Sequence, residues 1–273
     1  MIRTSKDQIK VSPFLKWAGG KRWLIEKHSD IFPLAYNRYF EPFLGSGAVF
    51  FYLKPKSGVL SDVNRDLIIT YKSVKQKYAL VIDKLGKYQH KHSEKFYYKV
   101  RTKIENERVA IAARFIYLNR TCWNGLYREN KLGVFNVPKG TKNNVSLSAD
   151  DFKGVSKLLK KFTLKCQDFE LTINLSQAGD FIFVDPPYTV SHNNNGFIKY
   201  NQKLFSWDDQ IRLKASLDRA SDRGVKFIVS NASHVSLKTL YKDYHQQKLQ
   251  RASALASSYE NRRRTEELII KNF

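Results

Sequence analysis

The chain is short of several things at once. Its 273 residues include two cysteines, one methionine, seven prolines and 25 acidic side chains against 48 basic ones. Cys122 and Cys166 stand far apart with no paired spacing, so neither a disulfide framework nor a zinc knuckle is implied, and a reducing compartment fits. Among six histidines only His90 and His92 are close neighbours, in a basic polar stretch that reads as solvated surface, and no metal is expected. No apolar run approaches the ~20 residues of a membrane-spanning helix. The polar stretch from Met1 to Lys10 lacks the apolar core of a signal peptide, so no membrane partner is expected. The shortage of acid leaves a formal net charge of +23, beyond what solubility requires, and that charge points to a polyanion. What the chain has in quantity is apolar and aromatic, 42% and 14%, enough for a real core. Basic side chains run from end to end among the aromatics, which suits a folded nucleic-acid-binding surface better than a basic tail.

One stretch organises the rest: Phe181-Ile182-Phe183-Val184-Asp185-Pro186-Pro187-Tyr188. Four apolar residues between a Gly179-Asp180 turn and a proline pair predict a short strand buried on both faces, and open α/β sheets bind ligands at the carboxyl ends of their strands. An acid, two prolines and an aromatic in that place suit methylation of an exocyclic amino group on a base. The lone pair of such a nitrogen is delocalised into the ring, and it attacks a sulfonium methyl only when its hydrogens are drawn into acceptors that favour tetrahedral geometry. Asp185 offers one acceptor and a backbone carbonyl beside the prolines a second. The prolines stiffen the turn and bring no N–H to compete for those acceptors. Tyr188 offers a face for a base swung out of its stack. An Asp before a proline pair at a strand end is also a common turn, so other segments must decide.

Trp17-Ala18-Gly19-Gly20-Lys21 reads as a loop feeding a helix N-terminus, without the spacer of a P-loop. Tyr39 to Leu53, with Glu41, Gly45 and Gly47, reads as the strand, turn and helix of a nucleotide-type site. Gly58 to Asp62 predicts a second strand ending in an acid, where such sheets place a carboxylate for a ribose diol. Phe50 stands where a dehydrogenase usually carries a third glycine, which favours an adenosyl ligand without a pyrophosphate. From Asp66 to Asp150, helix-period apolar positions predict a helical insert. Its far end, Tyr117 to Asn130, is rich in Arg and Asn, the side chains that read guanine and adenine. The same stretch also reads as a polar surface turn anchored by Trp123 and Phe135. Leu164 to Phe169 predicts a strand ending in Asp168 and an aromatic, able to meet an adenine, or else simply a cap at the strand end. Thr189 to Leu204 is too polar to pack and is expected to be a mobile loop over the site. Trp207 to Arg223 predicts a helix, Val225 to Asn231 a buried strand, and the end a hairpin tipped by Arg262-Arg263-Arg264, either a phosphate contact or a solvated tip.

In chain order FLKWAGGK, EPFLGSG, SDVN, YLNRTCWNGLYREN, FNVP and DPPY resemble the Dam-type DNA adenine methyltransferases, in the group whose recognition domain lies between the cofactor motif and DPPY. The resemblance spans nearly the whole chain. It implies an α/β fold: a Rossmann-like mixed seven-stranded sheet with a terminal antiparallel hairpin, over 1–65 and 151–273, interrupted by a mainly helical target-recognition domain at 66–150. The activity implied is methyl transfer from S-adenosylmethionine to adenine N6 in double-stranded DNA, at GATC or another GAT-containing site. Trp17, Lys21, Asp62 and Asp185 fall on cofactor-contacting positions. Glu41, Gly45 and Gly47 belong to the glycine turn, Asp168 and Phe169 to the adenine-facing strand end, and Asp185, Pro186, Pro187 and Tyr188 to the catalytic motif. Lys16, Asn124, Leu126, Arg128 and Pro138 match base-contacting positions. A cognate restriction nuclease is an implied partner and the nucleoid of the cytoplasm the implied location. One departure stands out: after FNVP many relatives carry Gly-Arg-Tyr, and this chain has Gly140-Thr141-Lys142-Asn143. A non-catalytic DNA-binding module, an enzyme acting on RNA or cytosine, and a nucleotide-dependent oxidoreductase are the alternatives.

Overall fold

The computed structural model describes residues 11–125, 127–130, 133–189, 205–252 and 264–273. Its strands are β1 Tyr39–Glu41, β2 Gly58–Asp62, β3 Phe162–Cys166, β4 Phe181–Val184, β5 Lys226–Ala232, β6 His245–Ala252 and β7 Arg264–Lys271. Their order across the sheet is β3-β2-β1-β4-β5-β7-β6. β1 runs parallel to β2 and β4, and β4 parallel to β5, while β7 is antiparallel to β5 and β6. This is the expected mixed Rossmann-like sheet closed by a hairpin. Arg262 and Arg263, expected at the hairpin tip, and the polar stretch at 190–204 lie outside the described residues, while Arg264 is the first residue of β7.

The helices are α1 Arg22–Lys27, α2 Ala48–Leu53, α3 Arg65–Lys91, α4 Glu94–Thr102, α5 Arg108–Thr121, α6 Phe152–Leu159, α7 Phe169–Ile173, α8 Trp207–Asp222 and α9 Val235–Leu240. None among the described residues is long and apolar enough to cross a membrane. The chain divides into two compact units. The first comprises Met1–Arg22, Gly45–Lys54 and Asn64–Cys166, the second Trp23–Leu44, Pro55–Val63 and Gln167–Phe273.

In the first unit α3 begins where the Asn64 side chain accepts the Leu67 N–H, and it is kinked at Lys77, whose backbone leaves the helical region. α5 packs along α3. It is buried on nearly every side, so it behaves as a core helix and not as an amphipathic surface one. Phe14 joins Phe51, Tyr71 and Phe152 in an aromatic cluster with ring centroids 5.1–6.4 Å apart.

In the second unit all four residues of β4 are buried, as a central parallel strand covered on both faces requires. Phe40, Ile182, Val184, Phe227, Leu213 and Leu217 form the heart of its core. Asp180 opens β4 from the other end: it is 1% exposed and holds Arg38 through both carboxylate oxygens, at 3.3 and 2.7 Å.

Candidate active site

In the second unit Asp185-Pro186-Pro187-Tyr188 leaves the carboxyl end of β4, whose flanks are β1 and β5. Asp185, Pro187 and Tyr188 are half-buried and Pro186 is buried. Glu41 ends β1 and is 3% exposed, and its Oε2 accepts the Tyr39 hydroxyl at 2.9 Å. Burial, reinforced by that carboxylate, holds the Tyr39 phenol well above its ordinary range. Asp62 ends β2, half-buried, and its carbonyl accepts the Gln167 N–H at 3.3 Å.

Asp168 caps α7, accepting the Glu170 N–H at 2.9 Å, and is gripped by the Arg212 guanidinium of α8 at 2.7 and 2.9 Å. The Arg212 fork is the main reason its carboxyl lies below the usual carboxylate range. The two Arg212 bonds and the cap bond take three of a carboxylate's roughly four acceptor positions, so Asp168 has one left for a ligand. Phe169 is 3% exposed, stacked on Phe43 at 5.5 Å with Arg212 4.2 Å from its ring centroid. It is a wall of the core more than an open face.

In the first unit Trp17 lies over the glycine turn. Gly45 has φ +46, and a Cβ built there would stand 2.8 Å from the indole Cδ1. Gly47, at φ +63, is the N-cap of α2, a left-handed conformation that glycine adopts freely. Lys21 is buried and its Nζ donates to the Gly19 carbonyl at 2.7 Å. The Tyr127 ring stacks with Trp17 at 5.8 Å and with Phe115 at 4.6 Å, and its hydroxyl donates to Glu129 at 2.6 Å.

Also in this unit, two isolated antiparallel bridges, Cys122↔Lys139 and Glu129↔Phe135, tie together the described residues of this stretch. Asn124 is exposed with φ +53, Pro138 is exposed, and Arg128 is half-buried with its Nε on Asn136 at 3.1 Å. Leu126 lies outside the described residues. Lys16 packs its methylenes against Gly125, where a Cβ would be only 2.4 Å from Cδ. Burial, and then the nearby Lys142 ammonium, push the Lys16 pKa down.

A family model described as D12 class N6 adenine-specific DNA methyltransferase matches residues 17–255. The chain belongs to that family. It is 34% identical to Type II methyltransferase M1.LlaDCHI of Lactococcus lactis subsp. cremoris over 98% of each chain. It is 39% identical to Type II methyltransferase M.MjaIII of Methanocaldococcus jannaschii over 83% of this chain and 86% of that one. With a DNA adenine methylase of Vibrio cholerae it shares 30% identity over 85% of this chain and 86% of that one.

Sequence reasoning placed this D12-class methyltransferase's motifs on strand ends and turns but misjudged several side chains. Of the Arg and Asn residues in 117–130, Asn119 and Arg120 are buried in α5 at 0% and 2% exposure, out of reach of any base. Asn119 exchanges both amide bonds with the Lys16 backbone at 2.8 Å, and Arg120 holds Asp150 at 2.6 and 2.7 Å. Their place in a helix-period run was the available signal. Trp123, an anchor in the surface-turn reading, is 54% exposed, while Phe135 is the buried anchor at 4%. His92, expected as solvated, is half-buried between the Tyr117 hydroxyl at 2.8 Å and Asn143 at 3.1 Å. Nothing local in sequence marks Arg212 as the partner of Asp168, 44 residues away.

Proposed function

We infer that this chain transfers a methyl group from S-adenosylmethionine to adenine N6 in double-stranded DNA, at GATC or another GAT-containing site. The observation that carries the reading is Asp185 and its proline pair standing directly after a fully buried central strand. There a carboxylate oxygen and a neighbouring backbone carbonyl would accept the two N6 hydrogens; as the N–CH3 bond formed, the donor's S–CH3 bond would break to leave a thioether, and N6 would release one proton through the Asp185 carboxylate. Tyr188 offers a face to the extruded base.

The residues suit an adenosyl sulfonium. The glycine turn keeps bare backbone where a side chain would strike Trp17, and Gly19, at φ +78, has open space where its Cβ would be. Asp62 suits a ribose diol, Asp168 an adenine amino group and Phe169 the wall beside it, with Lys21 and, in the glycine-turn motif, Glu41 as further cofactor positions. The donor supplies an electrophilic methyl group. Trp17, Gly45, Gly47 and Asp185 complete its set of contacts. Asn124, Leu126, Arg128 and Pro138 form the DNA-contacting arm of a recognition domain at 66–150, and Lys16 joins them from the preceding segment. The Type II names of two relatives favour a cognate restriction nuclease as partner, with the nucleoid as working place.

The test is transfer from labelled S-adenosylmethionine to plasmid DNA, with digestion to nucleosides and sequencing of the methylated sites. N6-methyladenine within GAT sites is the expected product. Label confined to cytosine, or no label in DNA, overturns the reading. Asp185→Ala should abolish transfer while DNA binding persists.

A further inference from the structure

A buried polar chain stands behind the catalytic turn, and the methyl-transfer chemistry inferred above does not use it. Asn231 of β5 and Gln210 of α8 are both 0% exposed, and Thr189, the residue after Tyr188, is 5% exposed. The Asn231 Nδ2 donates to Gln210 Oε1 at 3.2 Å, and Gln210 Nε2 donates to Thr189 Oγ1 at 3.4 Å. The chain exists because the strands part company here. The last β4 pairing is Val184↔Val229, so Ser230, Asn231 and Ala232 run on beyond β4 while the Asp-Pro-Pro-Tyr turn departs.

The direction of this chain is determined by one group that cannot reverse. The Ala232 backbone N–H donates to Asn231 Oδ1 at 2.8 Å, and a backbone N–H only donates. The Asn231 amide nitrogen must therefore face Gln210, the Gln210 oxygen must face Asn231, and the Gln210 nitrogen must face Thr189. A buried amide in such a series has no water to exchange with, and leaving one group unpaired is costly. Two stiff elements, a central strand and a 16-residue helix, thus meet at a single side chain immediately after the catalytic aromatic.

We propose that Gln210, oriented by Asn231, is a positioning residue that fixes the end of the catalytic turn through Thr189, and so sets where Asp185 and Tyr188 meet the target base. It touches no substrate. This role rests on the methyltransferase reading for its effect on rate, but the effect on the turn itself does not. Misplacing a reacting group by about 1 Å costs on the order of 10²-fold in rate, which sets the scale expected.

The experiment uses the full chain with Gln210→Met, Thr189→Val, the double variant, and Thr189→Ser, which keeps the hydroxyl. Hydrogen exchange of the Tyr188 and Thr189 amides reads the turn directly, and kcat is measured beside the KM for S-adenosylmethionine and the Kd for DNA. Faster exchange is expected in Gln210→Met and Thr189→Val but not in Thr189→Ser. With it should come a fall in kcat on the order of 10²-fold, with KM and Kd changed about twofold or less. The double variant should lose no more than the worse single one, because both remove one link. Unchanged exchange in Gln210→Met, or losses that multiply in the double variant, overturn the proposal whatever the activity. Should Gln210→Met fail to fold, the contrast of Thr189→Val with Thr189→Ser decides. Wild-type protein that methylates no DNA would instead overturn the methyltransferase reading, and the exchange data would still judge the relay.

Discussion

Gly45→Ala should damage this protein for two separable reasons. At φ +46 an L side chain is strained, which costs about 1 kcal/mol or somewhat more. The new methyl would also stand 2.8 Å from both Cδ1 and Nε1 of the Trp17 indole, well inside van der Waals contact. That ring cannot simply recede, since its plane is stacked on Tyr127, itself stacked on Phe115. Forcing an aromatic off its seat by one methylene-sized group costs roughly 1–3 kcal/mol, so the total expected is about 2–4 kcal/mol. Urea denaturation would give the stability change, and binding of labelled S-adenosylmethionine the functional one, with an expected loss of affinity. In a Trp17→Leu background the collision disappears and only the backbone strain of about 1 kcal/mol should remain. Equal costs in the two backgrounds would refute the steric account and leave the backbone conformation as the whole cause.

Three further outcomes follow from the described contacts. Arg120→Ala leaves the Asp150 carboxylate without its cation and the Phe14 and Val145 carbonyls without a donor, and should destabilise by about 3–5 kcal/mol by denaturation, while Arg120→Met with Asp150→Leu recovers the carboxylate's share but not that of the two carbonyls. DNA affinity should begin to fall at a pH below the ordinary lysine range. Lys16 has a lowered pKa and is charged only beneath it, and Lys142→Gln, which removes the crowding ammonium, should move that fall upward in titrations by fluorescence anisotropy. Arg128→Ala should cost about 1–3 kcal/mol at the preferred site and relax base choice in competition binding, whereas a uniform loss on all sequences would make it a phosphate contact.

Much of the sheet was legible because its signals are local. The four-residue apolar run of β4, the acids ending β1 and β2, and the glycines of the intervening turn each state their element within a few residues. Partner choice over distance was not legible. Asp168 looks in sequence like an open strand-end acid, yet Arg212 and the cap of α7 together occupy most of it, and the packing of α8 against α7 brings the arginine there. Arg120 and Trp123 exchange the roles their residue types suggest: the charged one is core and the large aromatic is surface. Burial of an arginine becomes tolerable when a carboxylate and two carbonyls converge on it, and those come from positions 150, 14 and 145, a coincidence no window of sequence displays.

The reciprocal amide bonds between Asn119 and the Lys16 backbone, with Arg120 on the Phe14 carbonyl, bear on how such an enzyme acquires a new target. The bridged stretch after α5 looks like a cassette, but its root is stitched to a stretch more than a hundred positions earlier. Swapping the segment proposed to contact DNA between cousins without the matching Phe14-Leu15-Lys16 stretch would set it on the wrong foundation. Lineages that drift toward fresh sites are therefore expected to exchange the two stretches together.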